Sequence, residues 1–162
     1  GARSGIMTIK ITIREAQPED SKDIWIWRHD KTTREMSIST DAVDWDSHSD
    51  WFETSLLDKN TFLYIGFLES DKSKVGICRY NIDPEKNVAS VSINLNPEKR
   101  GQGLSCTLLA GSMEMLFREK KIDLTATIKK HNKPSITCFT KCGFKFDSED
   151  SLYNHYVFHN VV

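Results

Sequence analysis

No run of apolar residues in this chain approaches the ~20 needed to cross a bilayer as a helix, and nothing in it resembles a secretory signal. Cysteine is scarce and unpatterned: Cys78, Cys106, Cys138 and Cys142 form no Cys-x-x-Cys pair and no Cys/His cluster at zinc-finger spacing. These absences point to a reducing cytoplasm and to no bound metal. An excess of either charge is also missing, with 22 Lys plus Arg against 23 Asp plus Glu and a formal charge of -1. Such a balance supplies no general attraction to nucleic acid or to an anionic membrane, so an anionic ligand must be held locally. There is no internal repeat, linker or low-complexity tract. Residues 1–6 read as a cloning remnant ahead of Met7, which leaves 7–162 as one domain.

What is present is clear patterning. Ile9, Ile11 and Ile13 alternate with Lys10, Thr12 and Arg14, the period of a half-buried strand. Pro18-Glu19-Asp20 opens a helix with Ile24, Trp25 and Trp27 on its apolar side. A second helix starts near Asp44 to Asp46, where Trp45, His48, Trp51, Phe52, Leu56 and Leu57 recur at threes and fours. Three strands follow, at 62–68, 74–82 and 88–95, joined by short polar breaks as in a meander. Leu104, Leu108, Leu109, Met113, Leu116 and Phe117 then mark a long amphipathic helix. Residues 122–128 read as a strand and 132–142 as a helix, with Gly143 where a left-handed cap is favoured. Strands at 144–146 and 152–158 finish the chain. The order β-α-α-β-β-β-α-β-α-β-β implies an α/β protein of the mixed-sheet (α+β) kind, with a parallel crossover from 88–95 to 122–128.

The segment Arg100-Gly101-Gln102-Gly103-Leu104-Ser105 lies between a strand and the long helix. Read alone, it is equally a glycine-assisted turn or a cradle for a pyrophosphate. As a cradle, Gly101 and Gly103 admit a close ligand, the unpaired amides of the helix start face it, and Lys99 and Arg100 add charge. The segment lacks the Gly-Lys-Ser/Thr ending of a nucleotide loop. About 20 residues on, the strand at 122–128 carries only Asp123 at its edge, which weakens a dinucleotide reading as well.

With Glu98-Lys99-Arg100-Gly101-Gln102-Gly103 following a strand, the chain resembles the GNAT superfamily of acyl-CoA-dependent N-acyltransferases. That family's loop reads Gln/Arg-x-x-Gly-x-Gly/Ala, with Glu98 here in the first place. A second segment, Asn132 to Phe144, fits the family pattern Asn-x-x-Ala/Ser-x-x-x-Tyr/Phe-x-x-x-Gly-Phe. The resemblance extends from Ile9 to Phe158. It implies the GNAT fold and acetyl-CoA as acetyl donor, with a cofactor site of Ile93, Leu95, Lys99, Arg100, Gly101, Gln102, Gly103, Leu104, Ser105, Asn132, Ser135 and Lys141. In it, Ile93 and Leu95 offer backbone groups to the pantetheine arm where the fourth and fifth strands part. Read from the residues alone, Asn132 is also a good helix N-cap and Lys141 also a solvated helix charge.

The resemblance further implies the Leu95 N–H as donor to the developing oxyanion. Many members supply the leaving-group proton from a Tyr that here is Phe139, which has none to give. The fourth strand offers Ser90, Ser92 and Asn94 on its polar face and no carboxylate. Ser92 and Asn94 could order a water that relays a proton, or could be ordinary polar packing. A weakly basic amine is therefore expected over lysine. Candidate acceptor residues are Arg28, His29, Arg79 and Tyr80, with Trp27, Arg34, His48, Trp51 and Phe52 around them.

The run Trp27-Arg28-His29, then His48 and Trp51-Phe52, is similar to a GNAT subgroup that acetylates nucleotide-linked amino sugars, with His29 in the place of that subgroup's Asn. The expected reaction is direct transfer to a primary amine of a small molecule, with such a sugar implied by the subgroup. A protein N-terminus, a polyamine, or a non-catalytic acyl-CoA-binding module are the alternatives. The protein is expected as a monomer or homodimer.

Overall fold

The computed structural model of the chain describes residues 9–161; residues 1–6, read above as a remnant, lie outside them. Strand β1 (Ile11–Glu15) carries Ile11 and Ile13 of the alternating isoleucines, while Ile9 lies before it and is exposed. The chain then turns through Pro18–Asp20, a single 3₁₀ turn, into α1 (Ser21–Arg28). Asp20, only 1% exposed, anchors this corner. It accepts from the Gln17 N–H at 2.8 Å and is ion-paired with Arg14 and Lys74, each at 2.7 Å. Burial acts to raise the Asp20 carboxyl, but these hydrogen bonds outweigh it and bring it down to about 2.

Three helices, not the expected two, precede the meander. The extra one, α2 (Lys31–Met36), is capped by the Asp30 carboxylate accepting from the Thr33 N–H at 3.1 Å. Six residues are too few for a hydrophobic period to declare itself, and none of them is buried. Helix α3 (Trp45–Leu57) is capped by Asp44 and buries His48 and Phe52, while Leu57 stands in solvent.

Strands β2 (Thr61–Leu68), β3 (Lys74–Asp83) and β4 (Val88–Leu95) form the antiparallel meander. Helix α4 (Leu104–Phe117) crosses to β5 (Asp123–Lys129), which runs parallel to β4. Helix α5 (Lys133–Lys141) and strands β6 (Lys145–Glu149) and β7 (Tyr153–Phe158) complete a seven-stranded sheet of order β1-β2-β3-β4-β5-β7-β6. Gly143, just beyond α5, has φ +98, the left-handed conformation that glycine adopts freely.

The strands' period of two divides the sheet into two packed faces. Tyr80, Cys78, Val91 and Ala89 face the main core under α4, with Leu104, Leu108, Leu109 and Leu116. Leu63, Ile65 and Ile77 face the other way, against Ile24 and Trp27 of α1 and Phe52 of α3. No helix among the described residues is long and apolar enough to cross a membrane.

Candidate functional site

Between β4 and β5 the sheet parts. Their pairing covers only Val88 to Ser90 against Asp123 to Thr125, after which β5 continues with β7 alone. The remainder of β4 stays bonded to β3, and just past its end the Asn96 N–H donates to Val75 O at 2.8 Å. Because successive amides of a strand point to opposite edges, the Leu95 and Ile93 N–H groups turn toward the gap that β5 has left. A cleft with unpaired backbone donors on one wall follows from this register.

At the mouth of the cleft, Pro97–Lys99 makes a 3₁₀ turn and the loop swings through Gly101 and Gly103, with φ of +76 and +70. A Cβ at either glycine would meet nothing within 4 Å, so the backbone conformation rather than crowding calls for glycine there. Gly103 is also the N-cap of α4 and offers its amides no side-chain oxygen. Helices α2, α3 and α5 are each capped by Asp30, Asp44 and Asn132 respectively. The first turn of α4 thus keeps free N–H groups and the positive end of its dipole beside exposed Gly101, Gln102 and Gly103. This geometry fits a pyrophosphate.

Other residues of the predicted cofactor set are partly engaged elsewhere. The side chain of Arg100 turns away from the glycines to an ion pair with Asp30 and donates to Thr33 Oγ1 at 2.7 Å. The Arg100 guanidinium, through its hydrogen bond, holds the Asp30 carboxyl below the usual carboxylate range. Sequence reasoning missed Asp30 and Thr33, although Asp-x-x-Thr ahead of Arg34 is a cap signal. Leu104 is buried in the core, so only its backbone is available at the loop. Asn132 Oδ1 accepts from the Ser135 N–H at 3.3 Å as the cap of α5, which leaves its side-chain amide hydrogens free to donate. Lys141 is exposed at the far end of α5, beside a groove lined by Cys106, Thr107 and Cys142. The Cys142 thiol donates to Cys106 O at 3.6 Å, so the groove reaches the first turn of α4. All four cysteines are free thiols.

On the opposite face, Ser92 stands directly across from Arg79 in the β3–β4 register, and Asn94 across from Ile77. Arg79 points to the side of α1 and α3, where its guanidinium carbon lies 5.5 Å from the Trp51 ring centroid. Arg28 approaches the same ring at 5.6 Å. Burial lowers the affinity of both guanidinium groups for their proton, and the charge of Arg28 adds to the effect on Arg79.

Two of the four acceptor candidates do not join this face. Tyr80 follows Arg79 and therefore points oppositely: it is 0% exposed under α4, with its hydroxyl 2.7 Å from Ser112 Oγ. His29 has both ring nitrogens engaged in the fold, Nδ1 with Trp25 O at 2.7 Å and Nε2 accepting from the Val43 N–H at 3.0 Å. It pins the loop before α3 onto α1. Arg34 is spent likewise, on Thr40 O. Trp27 and Phe52 are core. Phe139, at the position of the family Tyr, is 2% exposed and edge-on to Phe144. Among the described residues no cluster of His, Cys, Asp and Glu is gathered for a metal ion.

Residues 10–145 match the family model described as Acetyltransferase (GNAT) domain. No curated protein matches the chain significantly. Among solved structures, the spermidine N-acetyltransferase of Vibrio cholerae in complex with CoA and spermine aligns at a TM-score of 0.80. It is 15% identical, over 91% of this chain and 92% of that one. AAC(6')-Ib in complex with ribostamycin and coenzyme A aligns at 0.79 with 16% identity, over 93% of each chain. At such identities the structural likeness is one of fold.

Proposed function

Since the chain belongs to the GNAT acetyltransferase family and is an acetyl-CoA-dependent N-acetyltransferase, we propose that it acetylates a weakly basic primary amine of a small molecule by direct transfer. An amino sugar, free or nucleotide-linked, is the acceptor class this reading favours. The observation that carries it is the parted β4 edge, where the Leu95 N–H faces the cleft beside a polar strand face without a carboxylate.

Acetyl-CoA supplies an activated thioester and a thiol leaving group. The Leu95 N–H would donate to the carbonyl oxygen as it gains charge, and its fixed direction costs no reorganisation during the reaction. Ser92 and Asn94, on the face across from Arg79 and Ile77, would hold a water that takes the proton from the attacking nitrogen. As the N–C bond forms and the C–S bond breaks, the thiol leaves as thiolate. With an ordinary pKa of ~8.5 it needs no donor at neutral pH, which fits Phe139. A weak base relay suits an amine near ~8, of which roughly a tenth is already neutral at pH 7, better than a lysine near ~10.4, of which almost none is.

Thiol release from acetyl-CoA, followed with amino sugars, nucleotide sugars, peptides and polyamines, tests the reading. Turnover of the amino sugars is expected. Saturable binding of acetyl-CoA with no release on any acceptor would instead make the protein a binding module.

A further inference from the structure

The second face of the sheet holds two arginines that have no counter-charge among the described residues. Arg79 Nε is shut off from solvent and has no hydrogen-bond partner. The ion pairs of the described residues use Arg14, Lys74, Arg100, Lys130, His155 and His159 as cations, and neither Arg28 nor Arg79. Arg14 also lies over an aromatic ring, Phe67 at 4.5 Å, and it has the Asp20 carboxylate for its charge. Arg79 has only the ring.

The site is also built. His48, 0% exposed, places Nε2 2.9 Å from Ser21 O, and only a nitrogen bearing hydrogen can bond to a carbonyl. Nδ1 faces Arg28 Nη1 at 3.3 Å, and because a guanidinium can only donate, Nδ1 is the unprotonated nitrogen and accepts. A buried histidine thus fixes Arg28 without neutralising it. Trp51 offers its ring to both guanidinium groups, which lets two like charges approach without supplying the oxyanion geometry they match.

We propose that Arg28 and Arg79, held by His48 and Trp51, bind an oxyanion carried by the acceptor, a carboxylate or a phosphate on the same small molecule as the amine. The proposal rests on the acetyl-transfer reading above and narrows it. Paired guanidinium forks suit a two-oxygen anion, and desolvated charges repel a polycation. Arg79 of β3 pairs across the ladder with Ser92 of β4, three residues before Leu95, so the anion subsite lies beside β4 at that remove from the oxyanion donor. That spacing is ~10 Å along a strand, the span of a small molecule.

The test pairs acceptors that differ in charge: glucosamine with glucosamine 6-phosphate, and an amino acid with its amide. Thiol release is read alongside calorimetric binding of each compound to the protein saturated with CoA. The expected result is a kcat/KM at least roughly 30-fold higher for the anionic member of one pair, lost in Arg79→Met and partly restored in Arg79→Lys. Which pair responds separates phosphate from carboxylate. Circular dichroism and acetyl-CoA affinity, unchanged in both variants, would exclude misfolding. Equal turnover within both pairs would overturn the anion site and leave the transferase reading intact. Arg79-dependent anion binding with no turnover would uphold the site and sink the transferase reading. Binding that Arg79→Met leaves unaltered would overturn the proposal.

Discussion

His48 and Arg28 are joined by a hydrogen bond of 3.3 Å in which the imidazole can only accept, because a guanidinium has only donors to offer, while the other ring nitrogen donates to Ser21 O at 2.9 Å. Burial holds the His48 pKa below its usual 6.5, and the Arg28 charge pushes the same way. Folding therefore favours the neutral ring. The unfolded chain binds more protons than the folded one between 6.5 and the lower folded value, so stability is full above 6.5 and falls with pH below it. Denaturant titrations from pH 7.5 to 5.5 should follow that slope, up to ~1.4 kcal/mol per pH unit. The slope should shrink in His48→Gln. Parallel curves for the two proteins would contradict the assignment.

Leu95→Pro isolates the proposed oxyanion donor. Its N–H faces the gap rather than β3, so proline there removes no ladder bond from the meander. The expected result is a kcat lower by on the order of 10²–10³-fold, with acetyl-CoA affinity changed far less. A kcat within twofold of wild type would remove Leu95 from the mechanism.

Gly103→Val addresses the loop. A side chain there meets open space, so the penalty is the left-handed φ of +70, ~1–2 kcal/mol for a residue with Cβ. Relaxing that strain reorients the first amides of α4. Acetyl-CoA should bind roughly tenfold or more weakly, while Phe139→Tyr keeps wild-type affinity. Isothermal titration would read both, and unaltered binding by Gly103→Val would contradict the cradle.

Asp20→Asn tests the corner between β1, α1 and β3. The change removes the shared carboxylate of Arg14 and Lys74, with an expected cost of ~2–3 kcal/mol. In the wild type that contribution is present above the usual carboxyl value of 3.8 and disappears as pH falls toward about 2. Acid titration monitored by circular dichroism should show this loss in the wild type, and less of it in Asp20→Asn.

Much of this was legible in the chain. The capped helix at Asn132, the left-handed cap at Gly143 and the meander each rest on local chemistry that a few residues declare. Parity is different. Arg79 and Tyr80 are neighbours in a strand and must face opposite ways, so the sequence could exclude both from lining one pocket. Which of the two faced α1 waited on how β3 paired. His29 and Asp30 were harder, because their partners Val43 and Arg100 are distant in sequence. Helix α2 is held by those tertiary bonds, and by Lys129 Nζ donating to Glu35 O at 2.8 Å, rather than by any apolar face.

The short contact between β4 and β5 has a mechanical meaning. The sheet amounts to two plates, β1 to β4 and β5 to β7, riveted at one corner by the pairing of Val88 to Ser90 and otherwise linked through α4 and a few side-chain bonds such as Lys129 to Glu35 O. A linear molecule lying in the opening and bonded to both edges would act as the missing rungs of a ladder. Occupancy of the donor cleft would then be felt as stiffness, and the two halves would shear apart less readily when loaded than when empty.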